Sequence, residues 1–250
     1  DATANWSSVA YGNGVWVAVA NYASIYAPIR VMRSSDNGLT WTGVTGAEAI
    51  SWQSVAYGNG VWVAVASTGT NRVMRAVDPI AGACTFTTAR ANIPLGGSGR
   101  QEVTSIHVVG SRVYAGTWGG LATSTDGGLT FTVSAAGLGS PYVFDVYAVG
   151  STVYAATGGG VSISTNGGLG TDPTTFTNHD KTAGLPNQAA RSVYVVGGDV
   201  YAGTLGGLSI STTGGDSWDS FDNRTTDNGL GSNDVNDVFV VGNAVYLATQ

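Results

Sequence analysis

The segment Val9–Ala20 reads Val-Ala-Tyr-Gly-Asn-Gly-Val-Trp-Val-Ala-Val-Ala, and the same string returns at Val55–Ala66. In each copy, two apolar runs lie on either side of a Gly-Asn-Gly turn, a pattern that predicts a β-hairpin. Four later segments share the first run and its closing glycine. The closing glycines of all six segments are Gly12, Gly58, Gly110, Gly150, Gly197 and Gly242. Their spacing of 40 to 52 residues suits the four-stranded blade of a β-propeller.

A third and a fourth strand are predicted after each of the first five hairpins. The third strands are expected at Ile29–Ser34, Arg72–Val77, Leu121–Ser124, Val161–Ser164 and Leu208–Ser211. The fourth strand is expected to open on an aromatic residue, at Trp41, Phe86, Phe131, Phe176 and Trp218. No segment keeps a 3.6-residue apolar period, so we expect almost no helix. The sixth repeat stops after its second strand, at Gln250.

These repeats predict an all-β chain: a single β-propeller domain over residues 1–250, built of four-stranded antiparallel blades. Five repeats are complete, at residues 5–50, 51–101, 102–141, 142–188 and 189–232, and a half-blade follows at 233–250. Six blades are the minimum that this pattern implies, and the chain would otherwise form part of a larger ring.

The turn between the third and fourth strands has a repeated form. It reads Ser34-Ser-Asp36-Asn-Gly38-Leu-Thr-Trp41 in the first repeat and Ser124-Thr-Asp126-Gly-Gly128-Leu-Thr-Phe131 in the third. The fourth repeat has Ser164-Thr-Asn166-Gly-Gly168, and the fifth has Thr213 at the acidic position. An Asp or Asn side chain accepts hydrogen bonds from its own turn, and glycine supplies a positive φ. We therefore assign these residues a structural role.

This turn pattern, in register with the repeated strands, resembles the Asp-box (BNR) repeats over nearly the whole chain. The resemblance implies a secreted bacterial β-propeller with a sialidase-like fold. It also implies that the Asp-box turns, here Asp36, Gly38, Asp126, Gly128, Asn166 and Gly168, lie on the outer rim of the blades. In members of the family that have active sites, those sites lie away from these turns.

The composition excludes several classes of function. Charged residues make up 10% of the chain and the net charge is −6, so there is no basic patch for a nucleic acid. No apolar run is long enough to span a bilayer. One cysteine and two histidines form neither an internal disulfide nor a structural zinc site. No cofactor or metal is expected.

The sialidase residues that the resemblance would imply are missing from the pattern. Sialidases of this type need an arginine triad, a Tyr–Glu nucleophile pair and an acidic Asp. The nearest match to their Arg-Ile-Pro motif is Tyr26-Ala-Pro-Ile-Arg30, which has the wrong order, and the two glutamates, Glu48 and Glu102, lie in connections between blades. Catalytic residues are therefore predicted to be absent.

Asp145 and Asp237 open the innermost strand in repeats four and six, where the other repeats have serine. This position is expected at one mouth of the central channel. The two carboxylates are interpreted either as solvated strand ends, as a start of a binding site for water or a cation, or as a glycosidase pair, which requires a separation of about 5 to 9.5 Å.

Trp118 stands in the turn between the second and third strands, where the equivalent repeats have Gly158 and Leu205. Tyrosine and tryptophan in exposed connections suit stacking on a sugar ring or packing in a protein interface. Trp118 is therefore a candidate ligand-binding residue, together with Tyr142, Asp145 and Asp237.

The sequence favours a non-catalytic extracellular module for binding, adhesion or structural assembly, using its loops or its open edge to contact protein or glycan at the cell surface. The alternative is a carbohydrate-active enzyme, either sialidase-like or similar to the Asp-box glucanases. An uncovered sheet edge is a template for strand addition, so self-association through the terminal half-blade is a further expectation. The other reading of the half-blade is that the chain continues past residue 250.

Overall fold

The computed structural model describes residues 4–22, 29–44, 47–69, 72–77, 87–89, 93, 102–168, 175–224 and 230–250. The chain divides into two compact units, residues 1–117 with 122–133 and residues 118–121 with 134–250. Both units are built of β-strands, and the described residues contain a 3-10 turn at Lys181–Ala183 and no α-helix. None of the described segments forms a helix long and apolar enough to cross a membrane. The prediction of an all-β chain with almost no helix is confirmed.

Three four-stranded antiparallel sheets follow one another along the first half of the chain. Their strands are β1 (Asn5–Gly12), β2 (Val15–Tyr22), β3 (Val31–Ser34), β4 (Thr42–Gly43), β5 (Trp52–Gly58), β6 (Val61–Ala66), β7 (Val73–Val77), β8 (Thr87–Ala89), β9 (Val103–Val109), β10 (Arg112–Thr117), β11 (Gly120–Ser124) and β12 (Thr132–Ser134). Within each sheet the strands pair in sequence order.

Two more four-stranded sheets and a two-stranded sheet follow, with the same pairing in sequence order. Their strands are β13 (Val143–Val149), β14 (Thr152–Thr157), β15 (Gly160–Ser164), β16 (Thr177–His179), β17 (Ala190–Val196), β18 (Asp199–Thr204), β19 (Gly207–Ser211), β20 (Asp219–Phe221), β21 (Val235–Val241) and β22 (Ala244–Thr249). The last two strands form the terminal hairpin.

The Asn-Gly turns explain the tight hairpins of the first two repeats. Asn13 and Gly14 have φ values of 48° and 79°, and Asn59 and Gly60 have 50° and 76°. Two consecutive positive φ values define the turn whose twist matches that of the flanking strands, and asparagine and glycine are the residues that adopt it most readily.

Within each unit, successive sheets pack face to face, and the core of the unit lies between them. In the first unit, Val17, Val19 and Val31 of the first sheet contact a buried face of the second sheet that includes Trp52 and Trp62. The approach is close, because a Cβ added at Gly12 would lie 2.0 Å from the ring of Tyr57. Alternate residues of each strand therefore face the preceding and the following sheet.

The fourth strands begin one residue later than predicted. They start at Thr42, Thr87, Thr132, Thr177 and Asp219, each directly after the aromatic position. The aromatic residue belongs to the turn: the Trp41 indole N–H donates to the Gly38 carbonyl oxygen at 3.1 Å. Phe131, Phe176 and Trp218 are buried, whereas Trp41 is exposed. Phe86 lies outside the described residues.

The third strands also differ from the prediction by one or two residues. β3 begins at Val31, not at Ile29, and β11, β15 and β19 each begin one residue earlier than expected, at a glycine. Gly120, Gly160 and Gly207 have φ values of 133°, 123° and 132°, which only glycine adopts readily. Gly160 and Gly207 nevertheless pair with Thr157 and Thr204 of the preceding strand. The last glycine of each of these turns is therefore the first residue of the third strand.

Candidate ligand-binding site

The side chains of Trp118 and Tyr142 meet in the second unit. Trp118 follows β10 in the turn that leads to β11, and Tyr142 directly precedes β13. Their ring centroids lie 5.3 Å apart at an interplanar angle of 64°, an edge-to-face arrangement. Aromatic pairs favour this geometry because the positive edge of one ring meets the negative face of the other.

Two further side chains extend this group. The Phe144 ring lies 6.4 Å from the Trp118 ring at 81°, again edge to face. The guanidinium carbon of Arg191 lies 5.0 Å from the centroid of Phe144, which is cation–π distance. We call Trp118, Tyr142, Phe144 and Arg191 the aromatic cluster. It draws on three consecutive repeats, since Arg191 belongs to β17.

Backbone contacts between neighbouring turns hold Tyr142 in place. The Gly158 N–H donates to the Tyr142 carbonyl oxygen at 3.0 Å, and the Tyr142 N–H donates to Ser140 Oγ at 3.2 Å. The turn at Gly159 allows no side chain, because an added Cβ would lie 2.1 Å from the Gly139 carbonyl oxygen. The cluster therefore stands on closely packed turns, which is the kind of rigid support that a binding surface needs.

The cluster presents both a packed interior and an accessible side. Tyr142 has 41% of its surface exposed, whereas Trp118, Phe144 and Arg191 are half-buried. The Arg191 Nε atom is buried and has no hydrogen-bond partner. The expectation that a tryptophan in this turn would be exposed is thus met only in part, because Trp118 packs edge-on against its two aromatic neighbours.

Phe144 and Arg191 were not among the candidate residues, although the repeat contains a signal for both. They occupy the same repeat position, directly before Asp145 and Ser192, in consecutive repeats. Other repeats place Ser7, Gln53, Thr104 and Asn236 there, which are small or uncharged polar residues. A large aromatic residue followed one repeat later by arginine is a departure from the repeat that a position-by-position comparison detects.

Asp145 joins two sheets. Its Oδ1 accepts from the Val146 N–H at 2.8 Å, and its Oδ2 accepts from the Val193 N–H of the next sheet at 3.0 Å. Ser8 has the equivalent place in the first repeat, and its Oγ accepts from the Val55 N–H of the second sheet at 3.2 Å. The position predicted to line a channel mouth thus connects the first strands of consecutive sheets.

Asp237 is at the same position in the terminal hairpin and has one of these two contacts. Its Oδ1 accepts from the Val238 N–H at 2.9 Å. Burial of the carboxyl group raises the pKa of Asp237 above its usual value, and the Val238 hydrogen bond opposes that shift, although the residue as a whole stays exposed. No hydrogen bond between described residues joins Asp145 and Asp237.

Each of the six residues predicted to form the turns is hydrogen-bonded to the serine Oγ of its own turn: Asp36, Gly38, Asp126, Gly128, Asn166 and Gly168. Asp36 Oδ1 accepts from Ser34 Oγ at 2.7 Å and from the Thr40 N–H at 2.9 Å. Asp126 makes the same contacts with Ser124 and Thr130, at 2.7 and 2.9 Å. Gly38 and Gly128 have φ values of 85° and 89°, and each donates its N–H to the serine Oγ of its turn, as Gly168 does to Ser164. The serine Oγ of the fourth repeat donates to Asn166 at 2.7 Å.

A concavity of the second unit is lined in part by His179. It has a volume of about 220 Å³ and is lined by Ile163, Thr165, Thr175, Thr177, His179, Gly214 and Asp216. Burial lowers the pKa of His179, and the carboxylates of Asp216 and Asp180 oppose that effect. His179 is the last residue of β16.

Comparison of the sequence with protein-family models and with curated proteins finds no match. Solved structures do match. PorZ, a bacterial surface component of the type-IX secretion system of Porphyromonas gingivalis, has a TM-score of 0.69 at 15% identity over 99% of this chain and 31% of that one. The Niastella koreensis GH74 enzyme has a TM-score of 0.61 at 20% identity, over 98% and 35%.

The extracellular domain of a hybrid two component system from B. thetaiotaomicron matches with a TM-score of 0.65 at 14% identity, over 98% of this chain and 31% of that one. The chain thus spans about a third of the length of each of these three proteins. At such identities the likeness shows the fold alone. Together with the succession of antiparallel sheets, it is consistent with a β-propeller of several blades.

Proposed function

We propose that the protein is a non-catalytic extracellular binding module whose aromatic cluster contacts protein or glycan at the cell surface. The observation that carries this proposal is the meeting of Trp118 and Tyr142, which come from two separate turns. Tryptophan, tyrosine and arginine are the residue types most enriched at binding hot spots, and aromatic rings also stack on sugars. Tyr142 and Arg191 add a hydroxyl group and a positive charge beside these rings.

We further infer that the sheets are blades of an Asp-box propeller, either of six blades or part of a larger ring. The paired Ser–Asp–Gly geometry of the Asp36 and Asp126 turns supports the assignment to this family. An extracellular location is supported by two structural relatives, one a bacterial surface component and the other an extracellular domain.

A glycoside hydrolase is the alternative, and the raised pKa of Asp237 is the observation that favours it, because a general acid needs such a shift. A second carboxylate is required opposite the acid, and Asp145 already accepts backbone hydrogen bonds at both oxygens. A binding role therefore fits the two aspartates better. Asp237→Asn would abolish any hydrolysis if the alternative were right, and would leave binding at the aromatic cluster unchanged.

The experiment is a screen of the purified chain on a glycan array and on intact bacterial and host cells, repeated with Trp118→Ala and Tyr142→Ala. Both variants are expected to lose the binding that the wild type shows. Leu205→Ala is the matched control, since Leu205 has the same turn position as Trp118 two repeats later, is not a member of the cluster and is itself exposed. Equal binding by all four proteins, each with an unchanged melting temperature, would contradict the assignment of the cluster.

A further inference from the structure

The first repeat exposes an apolar face that its near-identical neighbour buries. Trp6, Val9, Ala18, Met32 and Trp41 line a pocket of about 390 Å³. We call these five residues the first-repeat face. Val9 has 54% of its surface exposed and Trp6 has 37%. An accessible concavity lined by two tryptophans, a valine and a methionine is typical of a protein-binding surface.

The second repeat shows what covers such a face. Trp52, Val55, Ala64 and Met74 are the residues at the corresponding positions, and none has more than 4% of its surface exposed. They are covered by Val17, Val19 and Val31 of the first sheet. The chain therefore already contains a stable interface on this sequence, and its partner is the opposite face of another sheet of the same chain.

Among the described residues, no sheet covers the opposite face of the terminal hairpin, and Phe239 at the edge of this face meets Tyr194 of the fifth sheet with ring centroids 5.2 Å apart. Phe239 and Tyr246 pair across β21 and β22, and 52% and 60% of their surfaces are exposed. Val241 on the same strand face is exposed as well. We call Phe239, Val241 and Tyr246 the hairpin face.

The fifth repeat shows how the residues of the hairpin face pack when they are covered. Tyr194 and Tyr201 pair across β17 and β18 in the same register as Phe239 and Tyr246. They pack against Val235, Val238 and Val240 of the terminal hairpin. Val238 corresponds in the repeat to Val9 of the first-repeat face. The two uncovered faces thus carry the two halves of an interface that the chain forms internally.

Asp237 supplies an independent polar contact. The equivalent Asp145 accepts from the next innermost strand at Val193, and Ser8 accepts from Val55. Among the described residues nothing donates to Asp237 Oδ2. In the first repeat, Val9 has the position that Val55 and Val193 have in theirs. The backbone N–H of Val9 from a second copy could therefore donate to Asp237 Oδ2.

We propose that the hairpin face of one copy packs on the first-repeat face of a second copy, so that chains associate head to tail. This inference goes beyond the proposed binding function of the aromatic cluster, and it names the two surfaces and the partner of an assembly contact. Such a contact uses two different patches, so repeated contacts close into a ring or extend into a filament. Burial of the five first-repeat residues, two of them tryptophan, would drive the association.

The test uses the full chain in sedimentation velocity over a concentration series. The wild type is expected to form dimers and larger species as concentration rises. Val9→Arg and Tyr246→Arg each place a charge in one face and are expected to weaken self-association about tenfold or more. Leu129→Arg makes the same kind of change at an exposed residue outside both faces, and this control should associate as the wild type does.

Mixing the two variants tests the head-to-tail geometry. The Val9→Arg protein retains an intact hairpin face and the Tyr246→Arg protein retains an intact first-repeat face. An equimolar mixture should therefore form a dimer of one copy of each and stop there. A wild type that stays monomeric at every concentration overturns the proposal, and so does a mixture that stays monomeric while the wild type associates. Trp118→Ala should associate normally, so a failure at the aromatic cluster is distinguished from a failure of assembly.

Discussion

At the scale of single residues, the turns at Asp36 and Asp126 show how a short side chain organises a bend in the chain. Three hydrogen bonds from Thr40 and Ser34 hold the pKa of Asp36 at about 2. For Asp126, burial raises the pKa, but hydrogen bonds from Thr130, Ser124 and Leu129 outweigh it and again give about 2. The ionised form of each carboxylate is thus the one that the fold favours.

A substitution at Asp126 should distinguish hydrogen bonding from charge. Asp126→Ala removes both carboxylate acceptors of the turn and is expected to destabilise the protein by about 1 kcal/mol, or roughly 2–4 °C in melting temperature. Asp126→Asn retains the Oδ1 acceptor, as Asn166 does in the fourth repeat, and should cost less. Thermal melts followed by circular dichroism measure both. Equal losses in the two variants would show that charge, and not acceptor geometry, stabilises the turn.

The same two carboxylates predict the acid limit of stability. Their folded pKa of about 2 lies below the usual 3.8, so their contribution is fully present above about pH 4 and is lost as pH falls toward 2. The melting temperature of the wild type should therefore drop toward that of an Asp36→Asn/Asp126→Asn variant over this range. Melts at pH 7, 4, 3 and 2 make the comparison. A difference between the two proteins that stays constant down to pH 2 would contradict it.

At the scale of elements, the hairpins and the turns between them determine where the aromatic cluster stands. The all-β fold and the hairpin positions were predictable because strand alternation and Asn-Gly turns are local properties of the sequence. The starts of the third and fourth strands were not, since glycine at positive φ and an aromatic side chain folded back on its own turn both shift a boundary by a residue or two.

The contact between neighbouring turns at Gly159 gives a prediction at this scale. A Cβ at this position meets the Gly139 backbone, so Gly159→Ala must displace one of the two turns. The expected cost is about 1–3 kcal/mol, with a loss of ligand binding as Tyr142 moves. Gly231→Ala is the control, because its nearest neighbour would be 3.9 Å away. Melting and cell-binding assays on both variants provide the check, and unchanged behaviour of Gly159→Ala would show that the turns are not closely coupled.

At the scale of the whole chain, function is expected where one repeat departs from the others or lacks a neighbour. Trp118 and Tyr142 could be identified from such departures, since their repeat positions hold other residues elsewhere. Their contact with Phe144 and Arg191 could not, because those residues come from consecutive repeats and meet only through the packing of one sheet on the next. The exposed first-repeat face was equally hidden, because its sequence is that of a buried face.

The two copies of the Val9–Ala20 string allow an exposed and a covered sheet of the same sequence to be compared within a single molecule. Identical sequence lies in an uncovered sheet at Val9–Ala20 and in a covered sheet at Val55–Ala66. Amide hydrogen exchange reports the local stability that sheet packing confers. The residues before the two strings differ, with Ser7 and Ser8 before Val9 and Gln53 and Ser54 before Val55. Peptides that include Ser7 or Gln53 therefore differ in mass, and mass spectrometry separates the two segments.

Hydrogen exchange of these two hairpins over a range of protein concentrations is the measurement that tests the central claim most directly. In dilute protein, exchange at residues 9–20 should be faster than at residues 55–66. As concentration rises and the hairpin face of a second copy covers the first repeat, exchange at residues 9–20 should slow toward that of its twin, and Val9→Arg should prevent this. Equal exchange of the two hairpins in dilute protein, or a difference that concentration leaves unchanged, would contradict the account.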